Sequence, residues 1–198
     1  MEGIVFYWVM WGLWIATTFI MGYRPLRFWA SFTCLIAIIL SNSFLHIEMI
    51  KINDTYIFFF VVGLGLLGRS SFLKLSYYFV VHLIVMMLYI IYTIYTMYEP
   101  AILLMINQWL FFIAMFFVVQ LLVKPFGIRL AVIIVGLCQA EWVESLLLYP
   151  KDFVIGDYQF LDKLAFLIFM TAGWYAALRM SYLLHHALSR SSIRKFER

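Results

Sequence analysis

Seven long apolar runs follow one another along this chain, and that succession constrains the fold more than any motif does. They cover Gly3–Gly22, Phe28–Ile47, Ile52–Gly68, Leu75–Tyr98, Ala101–Val123, Leu130–Tyr149 and Leu164–Leu184. A helix needs about 20 apolar residues to cross a bilayer, so seven take roughly 140 residues and leave only short connections. The reading is an all-α polytopic transmembrane bundle over residues 1–184, followed by a basic tail, 185–198. Hydrophobic residues make up 66% of the chain and charged ones 12%, too few charges to cover a water-soluble domain. No stretch is left for a soluble catalytic domain. The first run lacks a basic leader, carries Glu2 and is too long for a signal-peptide core, so it is expected to be retained.

Lys and Arg set the expected orientation, because cytoplasmic loops retain them. With the N-terminus outside, the inner side receives Arg24, Arg27, Arg69, Lys74, Lys124, Arg129, Arg179, Arg190, Arg194, Lys195 and Arg198. The outer side receives only Lys51, Lys151 and Lys163. If the short third run failed to cross, the basic tail would face outward against this bias. Seven crossings and a cytoplasmic C-terminus follow. The net charge of +4 therefore reports membrane orientation, and nucleic acid is not an expected partner.

Several patterns imitate motifs. Gly63-Leu64-Gly65-Leu66-Leu67-Gly68 matches the letters of a dinucleotide-binding turn, but that chemistry needs a strand before it and a helix after it. Inside an apolar run, small residues read as helix-packing positions. His46 and His82 sit at depths about 20 Å apart along their helices, too far to share one haem iron. Cys34 and Cys138 fall within apolar runs and read as small packing residues. No cofactor or metal is expected. Tyr89, Tyr92, Tyr95 and Tyr98 recur every third residue and read as an interfacial aromatic belt, or else as a hydroxyl-lined groove beside the polar residues below.

Glu141 and Glu144 are the anomaly. Three residues apart, they project from one side of the sixth run. Glu141 is placed about 2 Å, and Glu144 about 7 Å, outward of the run's centre. A carboxylate at that depth costs about 3 kcal/mol or more unless it is protonated, paired or wet. Asn42, Asn107 and Gln108 lie roughly 6 to 7 Å outward of their own helix centres, so a polar cluster in the outer half is expected. It reads either as a proton, cation or small-molecule site, or as an interhelical hydrogen-bond network. The basic turns Arg24-Pro25-Leu26-Arg27 and Lys124-Pro125-Phe126-Gly127-Ile128-Arg129 echo one another, as in a parallel-repeat layout.

The start Met1-Glu2-Gly3-Ile4, the span pattern and the end Ser191-Ser192-Ile193-Arg194-Lys195 resemble the YphA-type small membrane proteins of Bacillus and its relatives. The resemblance covers the whole chain and implies a bacterial plasma membrane. It carries no functional residues across. The first expectation is a non-enzymatic binding, sensing or accessory protein. Its partners would be membrane lipids and a membrane or cytoplasmic protein, with Arg190, Arg194, Lys195 and Arg198 as anionic-lipid or partner contacts. The alternative is a small ion-coupled transporter using Glu141, Glu144, Asn107, Gln108 and Asn42. An intramembrane enzyme with a Glu as general acid or base ranks third.

Overall fold

The computed structural model describes residues 2–22, 25–47, 50–68, 70–98, 107–148 and 154–196, and seven α-helices and three short strands lie among them. The helices are α1 (Ile4–Ile15, continued by a π-helical turn, Ala16–Ile20), α2 (Pro25–Leu40), α3 (Asp54–Leu67), α4 (Phe72–Tyr98), α5 (Gln108–Leu122), α6 (Phe126–Leu148) and α7 (Tyr158–Phe196). The strands are β1 (Phe44–Ile47), β2 (Ile50–Asn53) and β3 (Val154–Ile155).

Successive helices alternate in direction. The Tyr7 hydroxyl meets the Ser41 hydroxyl at 2.8 Å, joining the start of α1 to the end of α2. The Thr17 and Ser31 hydroxyls meet at 2.9 Å, joining the opposite ends of the same pair. The Tyr77 hydroxyl donates to the Leu122 carbonyl at 2.9 Å, setting the start of α4 beside the end of α5.

At the centre is α6, packed on α3, α4, α5 and α7. Residues 131–138 are buried without interruption, and a helix apolar on every side belongs in the middle of a bundle. Two glycines let its neighbours approach. A Cβ on Gly63 of α3 would lie 2.8 Å from Val135 Cγ2, so this glycine of the fingerprint-like run is a helix-packing position. A Cβ on Gly136 would lie 2.9 Å from Val85 Cγ1 and 3.0 Å from the His82 carbonyl of α4. Backbone cannot yield as a side-chain tip can, so Gly136→Ala is expected to cost about 1–3 kcal/mol by overpacking. Thermal unfolding in detergent should show the loss, and an unchanged midpoint would contradict the α4–α6 contact.

The outer surface is apolar too. Trp8, Phe72, Leu73 and Leu121 are each more than three-quarters exposed, a pattern suited to lipid. Three helices, Phe72–Tyr98, Phe126–Leu147 and Tyr158–His185, are long and apolar enough to cross a membrane on their own. The other four apolar helices are shorter.

Residues 44–47, read from sequence as the end of the second helix, form a strand instead. Helix α2 stops at Leu40, where Ser41-Asn42-Ser43 follows and the Ser41 hydroxyl donates back to the Ile38 carbonyl at 2.7 Å. Short polar side chains of this kind compete for backbone groups and end helices. Strand β1 then pairs antiparallel with β2, and β3 joins β2 in parallel through Lys51–Val154 and Ile52–Ile155. Asn53 closes β2 and caps α3: its Oδ1 accepts from the Thr55 amide at 2.8 Å while its Nδ2 donates to the Ser41 carbonyl at 2.9 Å. The segment read as a basic tail continues the helix before it as far as Phe196. Helix α7 continues for 39 residues, about 58 Å.

Candidate functional site

Glu141 and Glu144 face α4 and α7 near the sheet end of the bundle. Glu141 is only 7% exposed, and Glu144 is half-buried. Helix α4 runs alongside α6 and supplies two hydroxyl donors one turn apart. Tyr89, fully buried, donates to Glu141 Oε2 at 3.3 Å, and Thr93 donates to Glu144 Oε2 at 3.4 Å. Helix α7 supplies the cation: Lys163 Nζ donates to the Tyr89 hydroxyl at 3.0 Å and lies 5.2 Å from the centre of its ring. The chain of contacts is therefore Lys163, Tyr89, Glu141, with Thr93 and Glu144 beside it. Tyr56 of α3, Cys138 of α6 and Asp157 just before α7 lie close enough to act on it electrostatically.

The remaining expected site residues are placed elsewhere. Asn42 lies in the turn after α2 and accepts from the Tyr158 hydroxyl at 3.0 Å. Asn107 is the N-cap of α5, its Oδ1 accepting from the Trp109 amide at 3.1 Å. Gln108 lines a cleft of about 260 Å³ with Glu2, Trp109, Gln159 and Asp162. The five-residue cluster therefore divides into a carboxylate pair, a turn, a helix cap and a cleft wall. In the tail, Arg190, Arg194 and Lys195 lie on α7 with their side chains outside the described residues, as does Arg198 altogether.

Other singled-out residues acquire roles in packing. His82 is buried, with its Nε2 2.8 Å from Gln139 Oε1. Cys34 and Cys138 are buried free thiols. Arg129 folds back onto the end of α5, its Nε donating to the Val123 carbonyl at 2.9 Å and its Nη2 to the Lys124 carbonyl at 3.1 Å. A cation there satisfies terminal carbonyls and the negative end of the helix dipole. The Tyr ladder divides by depth. Tyr95 and Tyr98 are exposed as belt residues would be, Tyr92 stacks on Phe111 with ring centres 4.1 Å apart, and Tyr89 is core.

Thr93 and Lys163 are the site residues that sequence reasoning passed over, and Tyr89 was named there only as one of four ladder tyrosines that could line a groove beside the polar residues. The ladder treated four tyrosines alike, and Lys163 counted only as a loop charge. One signal was available: Lys163 lies on the same chain segment as the seventh run, and a lysine there can reach inward along its stem. Chemically, two carboxyl groups and one ammonium gather here, and only with both carboxyls ionised is one negative charge left in excess, before Asp157 is counted. Such a cluster can take up one proton or one monovalent cation.

Comparison with known proteins agrees with the helical bundle and its apolar surface. Residues 2–196 match the family described as YphA-like integral membrane protein. A relative from Bacillus subtilis (strain 168), named Uncharacterized protein YphA, is 29% identical over 164 residues, covering 82% of this chain and 81% of its own length. No solved structure matches. This α-helical chain, with a family match over nearly its whole length, belongs to the YphA-like integral membrane proteins.

Proposed function

We propose that this chain is a seven-span, non-enzymatic plasma membrane protein, N-terminus outside, that binds a proton or monovalent cation at Glu141 and Glu144 and acts as a sensing or accessory module. The observation that carries this reading is the buried network in which Lys163 reaches Glu141 through Tyr89. One cation against two carboxylates leaves the cluster responsive to whatever supplies the missing positive charge. A buried uncompensated carboxylate is costly in lipid surroundings, so occupancy is bound to influence the bundle. A one-sided site suits sensing better than transport. From Ala131 to Cys138, α6 presents eight buried residues with no charged side chain, about 12 Å of dry packing on the far side of the pair.

Alternating helix directions support seven crossings. The basic residues support the orientation: Arg27, Lys74, Lys124, Arg129 and Arg179 lie toward the end opposite the sheet, while Lys51 and Lys163 lie at the sheet end. Arg24, Arg69, Lys151 and Arg198, used in the sequence count, lie outside the described residues. Helices of 14 to 16 residues match a locally thinned bilayer. Reporters fused after Arg198 and between Gly68 and Phe72 are expected to read cytoplasmic, and one between Leu148 and Val154 external. A cytoplasmic reading for the last would remove the seven-span topology.

Glu141→Gln tests the site. Glutamine keeps the size and an oxygen to accept from Tyr89, so the variant should fold with near wild-type thermal stability. It should lose the infrared carboxyl signal that wild type shows across a pH titration. A signal unaltered by the change would remove Glu141 from the site. Carboxylate-dependent proton or cation flux in wild-type proteoliposomes would replace the sensing role with the ion-coupled transporter.

A further inference from the structure

We propose that the cleft between the starts of α5 and α7 is a binding site for a small organic ammonium cation, separate from the Glu141 and Glu144 pair. The cleft, about 260 Å³ in volume, is lined by Glu2, Gln108, Trp109, Gln159 and Asp162. A water's share of liquid volume is about 30 Å³, so the space suits a solute of several non-hydrogen atoms better than a bare ion.

The acceptors are held in place and only partly used. Asp162 takes one amide on each oxygen, Gly3 on Oδ2 at 2.9 Å and Phe6 on Oδ1 at 2.7 Å. An ionised carboxylate has about four lone-pair sites, so each oxygen keeps one. Gln159, one turn earlier on the same side of α7, donates its Nε2 to Glu2 Oε1 at 2.8 Å, and its own amide oxygen is left to accept. The Gln108 side chain has no hydrogen-bond partner among the described residues. Acceptors fixed before a ligand arrives need little reordering to bind it.

Charge decides the class of ligand. Two carboxylates line the cleft, and its lining among the described residues holds neither Lys nor Arg. Lys163, next in the chain to Asp162, commits its ammonium to the Tyr89 hydroxyl at 3.0 Å. A neutral polyol would leave both carboxylates uncompensated, whereas an ammonium answers them with charge and N–H donors together. Calcium takes about six to eight oxygens, and the single lone pairs left on the Asp162 oxygens suit N–H donors instead. Trp109 packs against Phe166 with ring centres 4.9 Å apart and supplies an aromatic wall of the kind that attracts organic cations.

Ethanolamine carries the required group, either free or as a lipid headgroup. Ethanolamine hydrochloride, titrated into the full-length protein in detergent at constant ionic strength and followed by saturation-transfer NMR, is expected to bind with a Kd of about 1–10 mM. Glu2→Gln, a change at an exposed side chain, should weaken binding about fivefold. Gln108→Arg, which brings a competing cation into the cleft, should abolish it. Equal binding of glycerol would overturn the selection by charge. Displacement of ethanolamine by an equal concentration of calcium chloride would overturn the organic cation, and binding unchanged in both variants would overturn the cleft. Nanodiscs distinguish the two sources. If phosphatidylethanolamine added to phosphatidylglycerol nanodiscs blocks free ethanolamine, the headgroup fills the cleft, and undiminished binding assigns the cleft to the solute. No binding in detergent or in phosphatidylglycerol nanodiscs would overturn the proposal.

Discussion

Gly156→Val is expected to destabilise the protein by about 3–5 kcal/mol, the largest effect of any single substitution considered, because strain and overlap add. Gly156 is buried between β3 and α7, with φ of 74°, a left-handed conformation that β-branched residues rarely adopt. A Cβ there would lie 2.5 Å from Tyr56 Cβ, 3.1 Å from Tyr56 Cγ and 3.3 Å from Asn53 Cβ. Tyr56 is not free to move aside. Its hydroxyl donates to the Cys138 carbonyl at 2.8 Å, and its ring packs on Phe160 at 5.7 Å between centres. Asn53 is the cap of α3. Valine would thus disturb the sheet, the start of α3 and the approach of α7 together. Unfolding in detergent should show the loss. Gly156→Ala should fall in the same direction by a smaller amount, and a wild-type midpoint for the valine variant would contradict the docking of this turn on Tyr56.

Asp162→Ala is expected to cost about 2 kcal/mol, the upper range for a lost helix cap. Helix α1 has Gly3 as its N-cap and so no capping side chain of its own. Its first amides are satisfied from α7, where the Asp162 carboxylate accepts from Gly3 N at 2.9 Å and Phe6 N at 2.7 Å. A negative charge at this end also complements the helix dipole. Asp162 is half-buried, so water recovers part of the loss, and the figure is set below the sum of two charge-assisted bonds. Asp162→Asn, which retains one acceptor, should lose less. Amide exchange over residues 3–6 should quicken in Asp162→Ala, and unchanged exchange would show that α1 does not depend on this carboxylate.

The cap, the turn and the ammonium share a place. The first two turns of α7 bind the turn after α2 through Tyr158, the N-terminal segment through Gln159 and Asp162, and α4 through Lys163. The Glu pair is therefore mechanically adjacent to the sheet end of the molecule, which is where the proposed sensing role needs it.

The helical class and membrane habitat could be read from the residues alone, for a physical reason. Lipid offers no partner to backbone polar groups, so long apolar runs must satisfy their own, and helices do this locally. The shared face of Glu141 and Glu144 was legible for a related reason, since helical geometry converts residue spacing into angle. The strand at Phe44–Ile47 was not, because an apolar stretch after a helix looks the same whether it continues the helix or pairs with Ile50–Asn53. Gly156 was silent until its φ and its distance from Tyr56 were known. Asn107 and Gln108 adjoin one another in sequence, yet one caps a helix and the other lines a cleft. Tyr89 looked like its three ladder neighbours, and Lys163 like a loop charge 19 residues after Glu144. Only the packing of α4, α6 and α7 around one hydroxyl made them neighbours, because contacts between distant helices depend on rotation and proximity that no single helix encodes.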